Sequence, residues 1–334
     1  MPRLLLLASA TAIVAAAPAP GGKPSYKVVR SIAVPDGGWD YAKVDTQAGK
    51  LYVARTDSVT VVDLAKADAV SSIGAIVRGH AVVPIAGTTL LLVSSGRDDS
   101  VRIFDTATGA EKAKIAVGSD PDAAFYDGIS KHAFVMNSKA GTVSIIDPVA
   151  TTVVGTITLK PGLEFAVAAG STLYVNNEDE NEIETADMVT GKAGAVIPLT
   201  GCAGPTGLGY DKQRNRLISA CGNGKVAVVD LATKAVTLLP IGLGPDAVII
   251  DRPRGVALIP CGKDGTLTVI DIASPGAAKV IATVPTEPGA RTGAVDRRDG
   301  LVYLPSARFG TPATPGARPA MIAGSAHILV LSPK

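Results

Sequence analysis

A six-residue pattern recurs along this chain, alternating polar and β-branched residues and ending in aspartate. It reads SVTVVD at 58–63, SVRIFD at 100–105, TVSIID at 142–147, EIETAD at 182–187, KVAVVD at 225–230 and TLTVID at 266–271. By subtraction, the terminal aspartates lie 42, 42, 40, 43 and 41 residues apart. A seventh copy, HILVLS at 327–332, follows the sixth after 61 residues, with serine in place of aspartate. Period-2 alternation is the signal of a strand with one buried face. Each copy is preceded by two more strand-like runs, such as 123–126 and 133–136, and followed by a fourth, such as 153–157. Four short strands per repeat of this length predict an all-β, seven-bladed β-propeller of four-stranded antiparallel blades.

The two ends of the chain fit a closed ring. The seventh repeat has strand-like runs at 292–295, 301–304 and 327–331 and then runs out of chain. Residues 26–34 read like a fourth strand but precede the first repeat. Pairing of this N-terminal strand with the last blade is expected to close the ring and leave no long sheet edge open. Residues 26–334 are therefore read as one propeller, with 305–325 as a loop inserted in blade seven. With 47% hydrophobic residues, 36 Gly and 23 Pro, the chain can fill a large core and still turn between many short strands.

Upstream, Arg3 is followed by a short apolar run that ends in alanines. That is the layout of a signal peptide, expected to be cut after Ala16, with 17–25 a short linker. The run is too short to span a bilayer, and no later stretch approaches the roughly 20 apolar residues of a membrane helix. A periplasmic or secreted, monomeric protein with no membrane span is expected. A net charge of +2, from 32 basic and 30 acidic residues spread along the chain, argues against nucleic acid as a partner.

The motifs Leu51-Tyr52-Val53-Ala54, Val59 to Asp63 and Gly244-Pro245-Asp246-Ala247 resemble those of the YVTN family of β-propeller repeat proteins. The resemblance covers nearly the whole chain after the signal segment, although 178–182 breaks the pattern in blade four. It implies the propeller fold. It does not single out a function, because such propellers include surface proteins, binding proteins and parts of redox enzymes.

Aligning the loops that enter each innermost strand brings one polar residue per blade into register: Asp40, His80, Asp122, Glu164, Thr206, Asp246 and Arg291. Innermost strands surround the propeller axis, so these seven are expected to ring one mouth of the channel, where ligands usually bind. Four carboxylates that close to each other require a cation or another partner. Arg291 is expected to neutralise Glu164 or Asp246. Loops between second and third strands open on the same face, bringing Arg55, Arg97, Asn137, Asn176, Asn177, Glu178, Asp179, Asn223, Lys263 and Asp264. The insertion, with Arg308 and Arg318, is read as a lid over the mouth. Channel-mouth loops also use such residues only to cap turns.

The function expected from this pattern is a binding or scaffold propeller that holds a small polar ligand, a metal ion or a protein partner at the ringed face. His80, Asp122, Glu164, Asn177 and Asp246 are the candidate metal ligands. Oxygen donors suit Ca²⁺, and His80 brings Zn²⁺ into range. The alternative is a metal-dependent hydrolase or lactonase in which a ring carboxylate or His80 acts as general base. No Cys-x-x-Cys-His, Gly-x-Ser-x-Gly, phosphate-loop or His-Glu-x-x-His motif occurs. Cys202 and Cys221 flank the first two strands of blade five, and antiparallel pairing predicts a disulfide between them. Cys261 is left over, and His132 and His327 fall in strand-like runs with a structural role.

Overall fold

A computed structural model describes residues 24–274, 276–312, 314 and 319–334; the signal segment, most of the linker and Arg318 lie outside the described residues. Seven four-stranded antiparallel sheets form a ring, a seven-bladed β-propeller. Among the described residues, helix is confined to one 3-10 turn, Gly96–Asp98, so none is long and apolar enough to cross a membrane. Six sheets are built from consecutive strands. The seventh takes Ala294–Val295, Val302–Ser306 and His327–Pro333 from the end of the chain and Tyr26–Ala33 from its beginning. In this clasp Tyr26 lies opposite Pro333 and Ala33 opposite His327. The Tyr26 hydroxyl donates to Asp251 of blade six, which ties the clasp to its neighbour as well.

The repeated aspartate is explained by the turn that follows it. One carboxylate oxygen of Asp147 accepts the backbone N–H of Val149 and of Ala150, both at 2.9 Å. Asp105, Asp187, Asp230 and Asp271 do the same at their own turns. Such turns let a short acidic side chain satisfy N–H groups that the ladder has released. In line with that, these backbone donors hold Asp105, Asp147, Asp187 and Asp230 below the usual carboxylate range.

The core lies between blades. Phe134 and Met136 of blade three pack on Leu173 and Val175 of blade four, and Leu258 and Val269 of blade six on Leu304 and Leu329 of blade seven. Middle strands are buried on both faces, as in residues 216–221, where all six positions are buried. Close approach of blades five and six requires Gly207, since a Cβ there would lie 2.6 Å from the backbone of Ala247.

Cys202 and Cys221 form the expected disulfide, and Cys261 is a buried free thiol. It closes a loop of 19 residues. By loop-closure entropy the double variant Cys202→Ser/Cys221→Ser should lose about 3 kcal/mol. Chemical denaturation with and without reductant checks this; the wild type should shift toward the variant only when reduced.

Candidate functional site at the channel mouth

Five of the seven ring residues lie at an irregularity in their strand. In blade three Pro121 pairs with Asn137, yet Ala124 pairs with Val135, so the innermost strand carries one extra residue between them. The same shift occurs at Trp39/Ala42, Gly79/Val82, Leu163/Ala166 and Pro205/Leu208. A β-bulge frees its residues from strict up-down alternation and re-aims their side chains. In these five blades the ring residue and the residue after it both fall in the bulge.

The ring residues meet. His80 Nδ1 lies 2.6 Å from Asp40 Oδ2 and 3.2 Å from Asp122 Oδ1. Arg291 Nε donates to Asp246 at 2.7 Å, its NH2 donates to the carbonyl of Trp39 at 3.1 Å, and Asp40 lies 3.9 Å away. Of the two partners expected for Arg291, the structure therefore selects Asp246, with Asp40 added and Glu164 left without the guanidinium. Hydrogen bonds between blades fix the ring backbone: Ser94 donates to Asp122 O, Asn176 to Thr206 O, Thr206 to Pro245 O and Thr292 to Asp40 O.

Directly beneath the ring the channel is plugged. Tyr41 and Phe165, one residue after Asp40 and Glu164, pack with tilted rings whose centroids are 5.1 Å apart, from blades one and four. Tyr41 packs with Ala123 of blade three and Ala247 of blade six, which places it on the axis. Equivalent positions elsewhere are smaller, namely Ala81, Ala123, Gly207, Ala247 and Thr292. This aromatic and small alternation was present in the sequence one step from the aligned ring, but only the bulge reveals that it also faces inward.

The loop polar residues divide by role. Asn177 donates to Pro161 O and to Glu184, and Asn137 to Thr142 and Ser144, so both stabilise their own blade rather than join the ring. Arg55 is likewise spent on the carbonyls of Pro35 and Gly37. Asn223 and Asp264 bond the loops beside them. Glu178 does approach, close enough to raise the pKa of Glu164 and Asp246. His327 is structural, bonded to Ser325 O and Glu287. The described part of the insertion folds back as a short bridge, Phe309 opposite Met321, and Phe309 packs 6.4 Å from the Trp39 ring at the rim of blades seven and one. Asp36 anchors it by accepting the N–H groups of Gly324 and Ala326. A separate open depression of about 420 Å³ lies on the same face between blades four and five, lined by Glu180, Asn181, Thr200 and Asn223 and away from the converging ring carboxylates.

The mouth is short of positive charge. Burial, then the neighbouring carboxylates, raises Glu164 well above its ordinary value. Asp122 is pushed up to about 7, by burial and by Asp40 and Asp246, with His80 opposing. Asp246 is pushed up to about 6 by burial and Asp40, with Arg291 opposing. Burial alone would lower His80, but its hydrogen bond to Asp40 and the charge of Asp122 hold it above its ordinary value.

No protein-family model matches this chain, and no curated protein matches it; the YVTN resemblance stays with the motifs that carry it. Among solved structures, the chain is similar to hydrazine synthase of Kuenenia stuttgartiensis, at 18% identity and TM-score 0.70, over 81% of this chain and 94% of that one. It is also similar to a chain in the crystal structure of the mitotic checkpoint complex, at 14% identity and TM-score 0.74, over 98% of both chains. At these identities the likeness defines the class, a β-propeller, and nothing finer. Propellers commonly serve as scaffolds or binding platforms.

Acids whose pKa is raised on folding favour the folded state at low pH and lose that contribution as pH rises through the raised value. The melting temperature should therefore fall between about pH 4 and about pH 7, as Asp246, Asp122 and Glu164 are forced to ionise together. Turn aspartates, held low, act only below this window. Glu164→Gln, a neutral mimic, should flatten the profile in thermal melts; a profile as steep as wild type would show that Glu164 takes no part.

Proposed function

We propose that this chain is an exported binding or scaffold propeller whose acidic channel mouth takes a cation, with Asp40, His80 and Asp122 as the primary ligands of a divalent metal. The carrying observation is the convergence of one ligand atom from each of these three residues, all within 4.8 Å of one another. The surroundings support this reading. The three side chains are only 11–19% exposed, and the ring carries four carboxylates against one guanidinium and one imidazole. A bound cation would relieve the repulsion that pushes Asp122 and Asp246 upward. An imidazole nitrogen with two carboxylates suits Zn²⁺ or Mn²⁺ better than Ca²⁺, which requires six to eight oxygen ligands. Asp246, Glu164 and Glu178 would supply the surrounding negative field and contact a polar ligand or partner that approaches over the metal.

Export is supported by the signal-like N-terminal segment and by the Cys202–Cys221 disulfide, because disulfides persist in oxidising compartments such as the periplasm. At such a site a metal could also activate water with a ring carboxylate as base, the chemistry of a hydrolase.

Metal analysis of protein purified without chelator, combined with melts in EDTA and after addition of Zn²⁺ or Mn²⁺, tests the metal site. One bound equivalent is expected, with a rise in melting temperature larger at about pH 8 than at about pH 5, because protons compete for the ligands. His80→Ala and Asp122→Asn should each abolish the rise. Absence of bound metal, together with melts that ignore both metal and chelator, would overturn the site.

A further inference from the structure

The opposite mouth of the channel has the opposite charge. Lys43 follows Tyr41 by two residues on the same innermost strand, Trp39–Asp45, so both face the axis, with Lys43 on the far side of the aromatic plug. The turns that end the innermost strands of blades five, six and seven also open on this side. Each begins with an aspartate followed by a basic residue: Asp211-Lys212, Asp251-Arg252 and Asp296-Arg297. Blades five, six and seven lead round the ring to blade one, so Lys212, Arg252, Arg297 and Lys43 form one arc.

The turn aspartates neutralise this arc only in part, because each is paired with another cation. Asp211 pairs with Arg216 at 3.1 Å, Asp251 with Arg254 at 3.3 Å, and Asp296 with Arg298 at 2.6 Å. Lys43, Lys212, Arg252 and Arg297 are outside these three ion pairs, and Asp251 opposes only part of the charge at Arg297. Nor are the four dispersed. Lys212 and Arg252 line one shallow depression, and Lys43 is close enough to Arg252 and Arg297 for both to depress its pKa. Solvent reaches the Lys43 side chain, and close packing around it together with the two guanidinium groups lowers it to about 8. Arg297 is lowered for the same two reasons, burial and Arg252, which outweigh the opposing charge of Asp251.

Like charges held together in a concavity are relieved by a multivalent counter-ion. A planar carboxylate is satisfied by one guanidinium fork, whereas a tetrahedral phosphate presents oxygens to several directions at once, matching an ammonium and two guanidiniums that converge from separate blades. We propose that the channel mouth opposite the Asp40, His80 and Asp122 ring is a binding site for a multiply charged phosphate group, held by Lys43, Arg252 and Arg297 with Lys212 at its rim. The site is independent of the metal proposed at the other mouth, from which the Tyr41 and Phe165 plug separates it.

Titration calorimetry of inorganic pyrophosphate into the full chain at constant ionic strength tests a free anion. Co-sedimentation with phosphatidylcholine vesicles containing phosphatidic acid tests a lipid headgroup. Pyrophosphate is expected to bind, with affinity reduced at least about tenfold in Lys43→Ala and in Arg297→Ala, since each removes a charge-assisted contact. Lys139→Ala, an exposed lysine on the other face, should bind as wild type does. Vesicle binding that the same two substitutions abolish, without pyrophosphate binding, would keep the phosphate chemistry and identify its source as lipid. Failure of both probes overturns the proposal, as does equal weakening by Lys139→Ala, which would indicate diffuse attraction. Binding of a polyglutamate peptide with no response to either phosphate probe overturns it in favour of an acidic protein.

Discussion

A single blade of this propeller has two apolar faces and no way to bury either by itself. Leu51, Val53 and Val62 of blade one are covered only because Tyr303, Ile328 and Val330 of blade seven stand against them. The same dependence runs between every pair of neighbours, so the ring has to close for the first and last blades to share in it. Closure falls to the clasp, in which Tyr26–Ala33 completes a sheet whose other strands come from the far end of the chain. Ring closure also decides function, because it is what gathers seven distant loops round one axis.

Within that ring, small distortions carry the chemistry. The bulge found in five blades re-aims the ring residue and the one after it, so Asp40 and Glu164 are each followed by an aromatic side chain beneath the ring. Large side chains at Tyr41 and Phe165 against small ones elsewhere block the channel beneath the ring. The two mouths are thereby independent electrostatic environments in a molecule of net charge +2, one lined by carboxylates and the other by lysine and arginine.

Much of the architecture was legible before any coordinates. The aspartate that ends six of the seven repeats is legible as a repeat marker, and its role in bonding the next N–H groups is a local matter of a few residues. The ring could be read for a related reason: a repeat preserves register, so residues at the same phase must meet the axis together. Asn177 shows where such reading fails. Its phase placed it at the mouth, but Pro161 O and Glu184 are nearer acceptors, and its side chain is consumed within blade four. The inward aim of Tyr41 and Phe165 is not legible in the sequence, because strict strand alternation would turn the residue after a ring position away, and a bulge is decided by pairing between strands.

By itself, then, the sequence determined the number of blades, the strand-and-turn grammar within each, the need for an N-terminal strand to complete the last, and the seven residues that share a phase. These follow from local periodicity and from turn preferences, which act over a few residues. Only the tertiary structure decided that His80 sits between Asp40 and Asp122, that Arg291 chooses Asp246 over Glu164, and that unpaired cations gather at the other mouth. Those outcomes depend on distances of a few ångströms between blades 40 or more residues apart in the chain, and on which charges burial leaves facing one another.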